Sequence, residues 1–288
     1  MSRTGVRAWN AVEMKISQLW SYPVKSMVGE QVPHVELSTL GIVGDRHWAI
    51  RDLERGGIRG GKKIGALMQF VAQRDGDEVL ITLPDGTTVA SQDDNVNALL
   101  SHALNHSVEL TSLPADNNLD HFRRGPGDSD DPMQELRAIF GRTEDEPLPN
   151  FAAFPPEVVE FESPPGTHYD CWPLLVMTTS AMDALRAALP NSVIDERRFR
   201  PSMMVETTEK GHVEFSWRGQ RAQIGTAVVE FLDPCPRCVM VTQEINADMG
   251  PDREILRHIV RDLDQNLGVY ARILTPGVVH VGDAVSFL

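Results

Sequence analysis

Asp233-Pro234-Cys235-Pro236-Arg237-Cys238 contains two of the three cysteines in the chain, with two prolines and an arginine around the thiols. Thioredoxin-like redox sites, halves of zinc sites and chance spacings all share the C-x-x-C pattern, so the flanking residues have to decide between them. Val228–Leu232 before the stretch and Val239–Thr242 after it are rich in β-formers. They predict a loop between two strands instead of the strand-to-helix turn of a thioredoxin-type motif.

The thiols of this stretch are candidate metal ligands. A zinc site would need two further ligands at ordered spacing, but Cys171 lies far back in the chain and no histidine pair follows at zinc-ligand spacing. Thiolates bind soft metals, and a neighbouring cation such as Arg237 stabilises a thiolate. An inert, partly buried cysteine is the alternative that these residues leave open.

Outward from the cysteines, short strand patterns dominate and predict an α+β fold that is mostly β. Pro84-Asp85-Gly86 predicts the turn of a hairpin within Val79–Val89. The other predicted strands are Ile16–Tyr22, His34–Leu37, Trp48–Arg51, Pro173–Met177, Arg197–Val205, Val213–Trp217, Ala222–Phe231, Val269–Leu274 and Ala284–Phe287. Caps and apolar spacing predict helices over Val96–Leu104, Pro132–Phe140, Ala181–Leu189 and Pro251–Asn266.

The pattern divides the chain into four parts. Residues 1–13 are predicted to be a flexible extension, 14–115 a small β-rich domain and 151–288 a second β-rich domain. Between the two domains, residues 116–150 are acidic and contain proline and glycine, which favours a linker or lid, with a disordered spacer as the alternative.

Composition excludes several classes of protein. The formal net charge of −14 argues against binding nucleic acid or an anionic membrane, which need a basic surface, and leaves a small-molecule substrate. Any bound phosphate must then be held by a local cluster of cations. No apolar run approaches the length of a membrane span, and residues 1–10 lack an apolar signal core. An odd number of cysteines does not make a disulfide framework, so a cytoplasmic location is expected.

Several motifs together resemble a known family. Cys-Pro-Arg-Cys, followed by Leu-Gly-Val-Tyr-Ala-Arg at 267–272 and Val-Gly-Asp-Ala-Val at 281–285, resembles the MOSC domain of molybdenum-cofactor sulfurases and amidoxime-reducing components. Leu-Trp-Ser-Tyr-Pro-Val-Lys-Ser at 19–26 and Gly-Asp-Arg-His-Trp at 44–48 resemble the β-barrel domain that precedes MOSC in the same proteins. The resemblance implies a β-barrel MOSC domain preceded by a smaller β-rich domain.

The resemblance also implies a cofactor, Mo-molybdopterin, and residues that hold it. Cys238 stands at the position of the molybdenum ligand, which would make it both metal-binding and catalytic. Lys25, Ser26, Arg46 and Arg200 match positions that contact the cofactor in the family, and Ser202 stands where relatives carry asparagine. Arg237 is a further cofactor-binding candidate through its side chain and its amide.

Thr178, Thr179 and Asp170 are weaker candidates. Amides at a helix start favour anions, so Thr178 and Thr179 are predicted to bind the cofactor, with simple N-capping as the alternative. Asp170 is a candidate acid catalyst because the resemblance puts its segment near the site; a turn residue is the other reading.

The leading hypothesis is a molybdenum-dependent oxidoreductase that reduces N-hydroxylated compounds. No four-cysteine iron–sulfur pattern follows the second domain, so electrons are expected from a separate donor protein. Three alternatives stay open: a sulfur carrier with a persulfide on Cys238, a non-catalytic cofactor-binding protein, and a dithiol oxidoreductase that uses Cys235 and Cys238.

Overall fold

The computed structural model describes residues 14–114 and 118–288. The predicted extension 1–13 and the predicted domain boundary at 115/116 lie outside these residues. The strands are β1 Lys15–Ser21, β2 Glu30–Val32, β3 His34–Ser38, β4 Gly41–Ile42, β5 Trp48–Asp52, β6 Val71–Asp75, β7 Glu78–Thr82, β8 Thr88–Ala90, β9 Val108–Ser112, β10 Leu174–Thr178, β11 Met203–Glu206, β12 Arg221–Ile224, β13 Ala227–Pro236, β14 Asn266–Thr275, β15 Gly277–His280 and β16 Val285–Phe287.

Helices are fewer than strands among the described residues. The α-helices are α1 Val96–Leu104, α2 Leu119–Phe122, α3 Pro132–Phe140, α4 Thr179–Ala188, α5 Glu196–Phe199 and α6 Arg253–Asp262. Single 3-10 turns cover Gly65–Gln69, Phe151–Ala153, Pro156–Val159, Val213–Trp217 and Val239–Thr242. The predicted α+β class with mostly β structure is confirmed.

The largest sheet has the strand order β16-β12-β13-β14-β10-β11-β1-β2. Within it β10 and β11 run parallel, because α4 and α5 carry the chain back between them, and β1 pairs antiparallel with β11. Side chains alternate between two cores, as the strand period of two requires. Val176 and Val205 face a core of sheet residues, whereas Met177 and Met204 face α4 and α6.

The smaller sheets complete the first half of the chain. β5 pairs with β9, and β6, β7 and β8 form a three-stranded sheet. With α1 they enclose a separate apolar core that includes Ile50, Phe70, Ile81, Leu100 and Leu110. A third small sheet joins β3 and β4 to β15. The first five strands are therefore divided between the large sheet, which contains β1 and β2, and the smaller sheets.

The predicted barrel is not found as a closed barrel among the described residues. Hydrogen-bonded ladders connect neighbouring strands of the large sheet from β16 to β2, and no ladder among the described residues pairs β2 with β16. Between its ends there is an isolated bridge from Lys15 to Ala284, and Ile16 N donates to Asp283 O at 2.9 Å. Thus β1 approaches β16 through a few contacts without a continuous ladder.

Five local predictions need correction. Asp195 caps a short helix through Arg197 N, so Arg197–Phe199 is helical and the predicted strand begins only at Met203. Val213–Trp217 is a 3-10 turn, and the predicted strand Ala222–Phe231 is a hairpin that turns at Gly225, where φ is +57°.

The other two corrections concern helix length and the cysteine loop. α6 ends at Asp262 because Asp264 and Gln265 have positive φ values, which break the helix before β14 begins at Asn266. Strand β13 continues through Pro236, and the residues after Cys238 form a 3-10 turn where a strand was predicted. No helix among the described residues combines the length and apolar character needed to cross a bilayer.

Candidate functional site

A cavity lies where β13 ends, and it brings most of the predicted site residues together. Cys238 lines it, with its backbone extended at the start of the 3-10 turn, and Arg237 N donates to Gln265 O at 2.9 Å. The lining residues are Lys25, Ser26, Arg46, Lys62, Phe140, Phe154, Tyr169, Asp170, Cys171, Trp172, Pro173, Leu175, Arg198, Phe199, Arg200, Ser202, Cys235, Pro236, Arg237, Cys238, Met240 and Tyr270. Residues from both halves of the chain therefore share one cavity.

Three of the predicted binding residues have left-handed backbones. φ is +71° at Ser26, +48° at Arg46 and +59° at Arg200. Non-glycine residues rarely adopt this region, so the surrounding structure must hold each of them there. Arg46 N donates to Tyr22 O at 2.7 Å, and Arg200 ends α5, its N–H donating to Glu196 O at 2.9 Å. Strained residues of this kind concentrate at ligand-binding sites.

Two tyrosines hold the guanidinium groups of Arg46 and Arg200. The Arg46 guanidinium lies 4.9 Å from the ring centre of Tyr22 and 4.8 Å from that of Tyr169. That of Arg200 lies 4.2 Å from the Tyr22 ring centre. Hydrogen bonds fix both rings, because Tyr22 OH donates to Pro201 O at 2.9 Å and Tyr169 OH to Asp45 Oδ2 at 3.1 Å. The aromatic faces thus keep two cations close together.

Asp170 joins two lysines in the cavity. Its Oδ1 lies 2.5 Å from Lys25 Nζ and its Oδ2 3.0 Å from Lys62 Nζ. Burial would raise the pKa of Asp170, but the charges of Lys25 and Lys62 outweigh it and hold the pKa well below its usual range. Burial lowers the pKa of Lys25. At Lys62 burial acts in the same direction, but the charge of Asp170 and then that of Cys238 outweigh it and raise the pKa. Asp170 therefore stays ionised at neutral pH.

Buried polar atoms of the cavity lack partners. Among the described residues, Arg200 Nη2, Arg237 Nε and Trp172 Nε1 are buried without a hydrogen bond. Burial, then the charge of Arg46, lowers the pKa of Arg200 to about 10. A buried donor without a partner costs about 1–3 kcal/mol, more when it is charged. These atoms suit a ligand that brings acceptors and negative charge.

A pair of buried histidines supports the cationic side of the cavity. His121 Nε2 lies 2.9 Å from His168 Nε2, and His168 Nδ1 lies 3.0 Å from Arg46 O. Arg51 Nη2 lies 3.1 Å from His121 Nδ1, and Lys25 Nζ donates to His168 O at 2.7 Å. Burial lowers the pKa of His121 to about 4 and that of His168 to about 3, with Arg51 and Lys25 adding to the effect. Both imidazoles are therefore neutral at pH 7.

Thr178 and Thr179 do not line this cavity. Thr178 Oγ1 accepts from Ala181 N at 3.1 Å, which caps α4, and donates to Glu214 Oε2 at 2.7 Å. The structure thus gives Thr178 the capping role that the sequence left open as the alternative, and it places neither threonine with the other candidates. Ser202 does line the cavity, where its backbone carbonyl accepts from Trp20 N at 3.1 Å.

The segment predicted as a linker or lid contributes to the cavity wall. Phe140 of this segment, at the end of α3, lines the cavity together with Phe154, which follows the segment, and Phe151 contacts both rings edge to face with ring centres 5.7 Å apart on each side. Arg142 Nη2 donates to Arg237 O at 3.0 Å. This contact attaches the segment directly to the cysteine loop.

Ion pairs hold the same segment on its other side. Asp128 Oδ1 lies 2.6 Å from Arg59 Nη1, and Arg59 Nε lies 3.1 Å from Asp52 Oδ2. Lys63 pairs with Asp128 at 3.3 Å and also with Glu135. We call these five residues the strap cluster, because they tie the segment to the first half of the chain.

Sequence reasoning missed several residues of the cavity. Lys62 lies in Gly60-Gly61-Lys62-Lys63, whose glycines lack the strand–helix context of a phosphate loop. Tyr22 and Tyr169 adjoin predicted site residues in the sequence, but their stacking depends on contacts between distant segments. In the described ranges, no three histidine, cysteine, aspartate or glutamate side chains converge as a metal site.

Comparisons with known proteins agree with the resemblance seen in the sequence. The MOSC domain matches residues 165–286, and the MOSC N-terminal beta barrel domain matches residues 13–122. The human protein named mitochondrial amidoxime-reducing component 1 is 23% identical over 303 residues, spanning 95% of this chain and 82% of the relative.

Two solved structures have lower similarity. The YUAD protein from Bacillus subtilis has a TM-score of 0.46 at 12% identity, covering 97% of this chain and 98% of that one. YiiM from Geobacillus stearothermophilus has a TM-score of 0.32 at 14% identity, covering 41% and 54%. The two domain matches lie in the predicted order and together span most of the sequence. This chain belongs to the MOSC family, with a MOSC N-terminal beta barrel domain ahead of its MOSC domain.

Proposed function

We propose that the cavity binds a molybdenum cofactor, with Cys238 as a ligand to molybdenum, and that the protein reduces N-hydroxylated compounds. Family membership and the printed name of the human relative, an amidoxime-reducing component, support this assignment. The observation that carries it is the single cavity shared by the Cys238 thiol and the guanidinium groups of Arg46, Arg200 and Arg237.

The chemistry of the lining fits such a cofactor. A pyranopterin with a phosphate needs a soft ligand for its metal and several donors for its anionic end. Cys238 supplies the thiol, and Arg200 and Arg237 each supply a buried nitrogen that has no hydrogen-bond partner among residues 14–114 and 118–288. Both arginines are only 8% exposed, so an anion between them would be largely removed from water.

Each residue then has a distinct task. Arg46, Arg200 and Arg237 bind the phosphate, and Ser26 shapes the adjoining turn, since its Oγ accepts from Gly61 N at 2.8 Å. When bound, the cofactor supplies the redox chemistry by which an N–OH oxygen is removed. Asp170 orients the lysines and is not the proton donor, because the charges of Lys25 and Lys62 keep it ionised. Phe140, Phe154 and Trp172 enclose the substrate and limit the access of water.

The electron donor and the cellular location are further proposals. A separate donor protein would have to deliver electrons through the surface around the cavity. A cytoplasmic location is the prediction that follows from the cysteine count.

Metal analysis tests the proposal. Protein purified from a host that makes the cofactor is expected to carry about one molybdenum per chain, because a single thiolate completes the site. Cys238→Ser is expected to lose the metal and the reduction of a hydroxylamine with an artificial donor while keeping its circular dichroism spectrum. Cys171→Ser, in the same cavity, is expected to keep both. Folded, unmutated protein that cannot take up the cofactor would refute the proposal.

The same samples separate the alternative uses of the thiols. A dithiol reaction needs Cys235 as a thiolate. Burial raises the pKa of Cys235 and disfavours the thiolate, and this outweighs the opposite effect of Arg237, whose Nη1 lies 3.3 Å from Sγ. Tolerance of Cys235→Ser would exclude that reaction. A sulfur carrier would show the mass of one added sulfur atom on the Cys238 peptide and no bound metal.

A further inference from the structure

Arg142 lies in a part of the chain that neither matched domain covers. The first domain match ends at residue 122 and the second begins at 165, and Arg142 follows the glycine that ends α3. The residue is only 6% exposed. Burial lowers the pKa of Arg142 to about 10, so its guanidinium is still charged at neutral pH. A buried charge is tolerated where hydrogen bonds replace the water that it has lost.

The contacts of this guanidinium are all to neutral oxygens. Nη1 donates to Phe140 O at 2.5 Å and Nε to Pro147 O at 3.3 Å, both within the same segment. The other contacts reach the second domain. Nη2 donates to Arg237 O at 3.0 Å, and Nε and Nη2 lie 3.3 and 3.2 Å from Gln265 Oε1. The side chain therefore joins the segment to the second domain by fixing oxygens in place.

Gln265 completes a clamp on Arg237. Gln265 O accepts from Arg237 N at 2.9 Å, and Gln265 N donates to Ile259 O at 2.9 Å. The Gln265 backbone is left-handed, with φ of +71°. Arg237 is thus held through its N–H by Gln265 and through its C=O by Arg142. Both peptide planes of Arg237 are fixed, and the second of them contains the amide of Cys238.

The glycine before Arg142 brings this backbone close to the cysteine loop. A Cβ on Gly141 would lie 2.8 Å from Leu256 Cδ2 and 3.4 Å from Val239 Cα, which belongs to the 3-10 turn after the cysteines. Arg257 in α6 donates from Nη2 to Gly141 O. These contacts fix the backbone next to Arg142 against α6 and the cysteine loop.

We propose that Arg142 is a positioning residue that fixes the cysteine loop from outside both matched domains. Its side chain holds the peptide between Arg237 and Cys238 in one orientation and so sets the direction in which the Cys238 thiol enters the cavity. The segment that carries α3 is then a structural part of the site and not a detachable lid. The hold on the loop needs no cofactor, whereas its effect on cofactor retention rests on the proposed function.

Two arginines of the segment provide a matched test. Arg142→Met removes the clamp, whereas Arg137→Met removes an arginine whose Nη1 donates within the segment, to Thr143 O at 2.6 Å and Glu146 O at 2.9 Å. Hydrogen exchange of the Arg237 amide is measured by NMR in cofactor-free protein. Arg142→Met is expected to speed this exchange about 10- to 100-fold, because the loop loses its bonds to a charged donor, and Arg137→Met to stay within about twofold of the unmutated protein.

Arg142→Lys separates positioning from a general loss of stability. Lysine keeps the charge but lacks the planar fork that binds Arg237 O and Gln265 together, so its exchange rate is expected to lie between those of Arg142→Met and the unmutated protein. The Ala72 amide, which donates to Val28 O at 2.8 Å in the first half of the chain, is expected to change less than about twofold. Exchange that accelerates equally at Ala72 and Arg237 would overturn the inference. Unchanged Arg237 exchange in Arg142→Met would also overturn it and leave the proposed function standing.

Metal content of the same variants distinguishes this inference from the proposed function. After expression with the cofactor, Arg142→Met is expected to retain about tenfold less molybdenum than the unmutated protein, and Arg137→Met to stay within about twofold. Faster Arg237 exchange with undiminished molybdenum would overturn the positioning role. Faster Arg237 exchange with no molybdenum in any of the proteins would support the clamp and reject the proposed function.

A measurement on the unmutated protein covers the case in which the variants do not fold. Exchange of the Arg142 and Arg237 amides is followed in increasing urea below the unfolding transition. Arg142 N donates to Arg137 O at 2.8 Å, so its exchange reports opening of the segment. The clamp predicts that both amides open together with the same urea dependence, because opening of the segment releases the loop. An Arg237 amide that stays protected where the Arg142 amide exchanges freely would overturn the inference.

Discussion

Lys62 and Lys63 are adjacent in the sequence but belong to clusters with opposite charge balance. In the strap cluster, Arg59 and Lys63 face three carboxylates, those of Asp52, Asp128 and Glu135. The described cavity lining has one carboxylate, that of Asp170, against six cations, Lys25, Arg46, Lys62, Arg198, Arg200 and Arg237, of which Arg46 also pairs with the buried Asp45 outside the lining. Matched charges stabilise the fold, whereas unmatched buried cations raise the cost of folding and favour an anionic ligand.

Breaking the strap cluster is expected to have the largest effect on stability. In Arg59→Met, Asp52 loses its guanidinium partner while its side chain stays 1% exposed, and it keeps the hydrogen bonds that Glu54 N and Arg55 N donate to its Oδ1. Removing one partner of a buried pair costs about 3–5 kcal/mol of unfolding free energy. Urea denaturation followed by tryptophan fluorescence measures the loss.

Arg55→Met is the matched control for that experiment. Arg55 pairs with the same Asp128 at 3.0 Å but is 51% exposed, so its loss is expected to cost less than about 1 kcal/mol. Equal costs for Arg55→Met and Arg59→Met would remove the distinction between matched buried charges and surface pairs on which the comparison rests.

Glu214 shows the reverse imbalance, because this buried carboxyl group has no lysine or arginine partner in the part of the chain that the structure describes. Its side chain is fully buried, and His212 Nδ1 lies 4.0 Å from Oε1, beyond hydrogen-bonding distance. Burial raises the pKa of Glu214 from 4.5 to about 7, so the folded state binds a proton more tightly than the unfolded state. Stability is therefore greatest below the unfolded pKa and falls as pH rises through the folded pKa.

Replacement of Glu214 by glutamine tests that pH dependence. The raised pKa predicts that the unmutated protein loses about 3 kcal/mol of unfolding free energy between pH 4.5 and 7 through this group. Glu214→Gln cannot ionise, so its urea midpoints are expected to lack this decline. A variant with the same decline as the unmutated protein would show that Glu214 is not the group responsible.

The sequence predicted elements whose signals are local. Helices α1 and α3 have the predicted bounds. In α3, Asp131 caps the start by accepting from Met133 N, and Gly141 ends the helix with φ of +62°. Pairing of β1 with β11 brings together residues about 190 positions apart, and no short pattern specifies it. The strand predicted after Arg197 failed because the cap at Asp195 outweighs the β-propensity of the residues that follow.

The candidate site divides in the same way. Resemblance located Cys238, Arg46 and Arg200, which the structure brings to one cavity. It could not reveal that Arg142, outside both matched domains, binds Arg237 O and Gln265 Oε1, since these bonds join segments far apart in the sequence. Thr178 and Thr179 were predicted from a helix start, and the structure shows Thr178 Oγ1 capping that helix through Ala181 N.

An unmatched cavity cation is expected to affect binding more than stability. Arg200→Met removes a buried charge whose pKa is lowered to about 10 by burial and by Arg46, so the folded state gains by losing it. The lost bond from Nη1 to Met27 O opposes this gain. Cofactor-free protein is therefore expected to keep its stability within about 1 kcal/mol.

The same variant should lose cofactor. A hydrogen bond to a charged group contributes about 1.5–3 kcal/mol, so molybdenum retention should fall about 10- to 100-fold. Measuring urea stability beside metal content separates the two effects. A large loss of stability with unchanged metal content would place Arg200 among the structural cations.

The smallest effect is expected from Tyr169→Phe. This change removes the hydrogen bond to Asp45 Oδ2 but keeps the ring against the Arg46 guanidinium. One neutral donor contributes about 1 kcal/mol, so cofactor affinity should fall less than about tenfold. Tyr169→Leu also removes the aromatic face and should reduce metal content further, because cation–π contacts of this kind add about 0.5–2 kcal/mol. If the two variants retain equal metal, the ring does not position Arg46, and its backbone bonds to Tyr22 and His168 are sufficient.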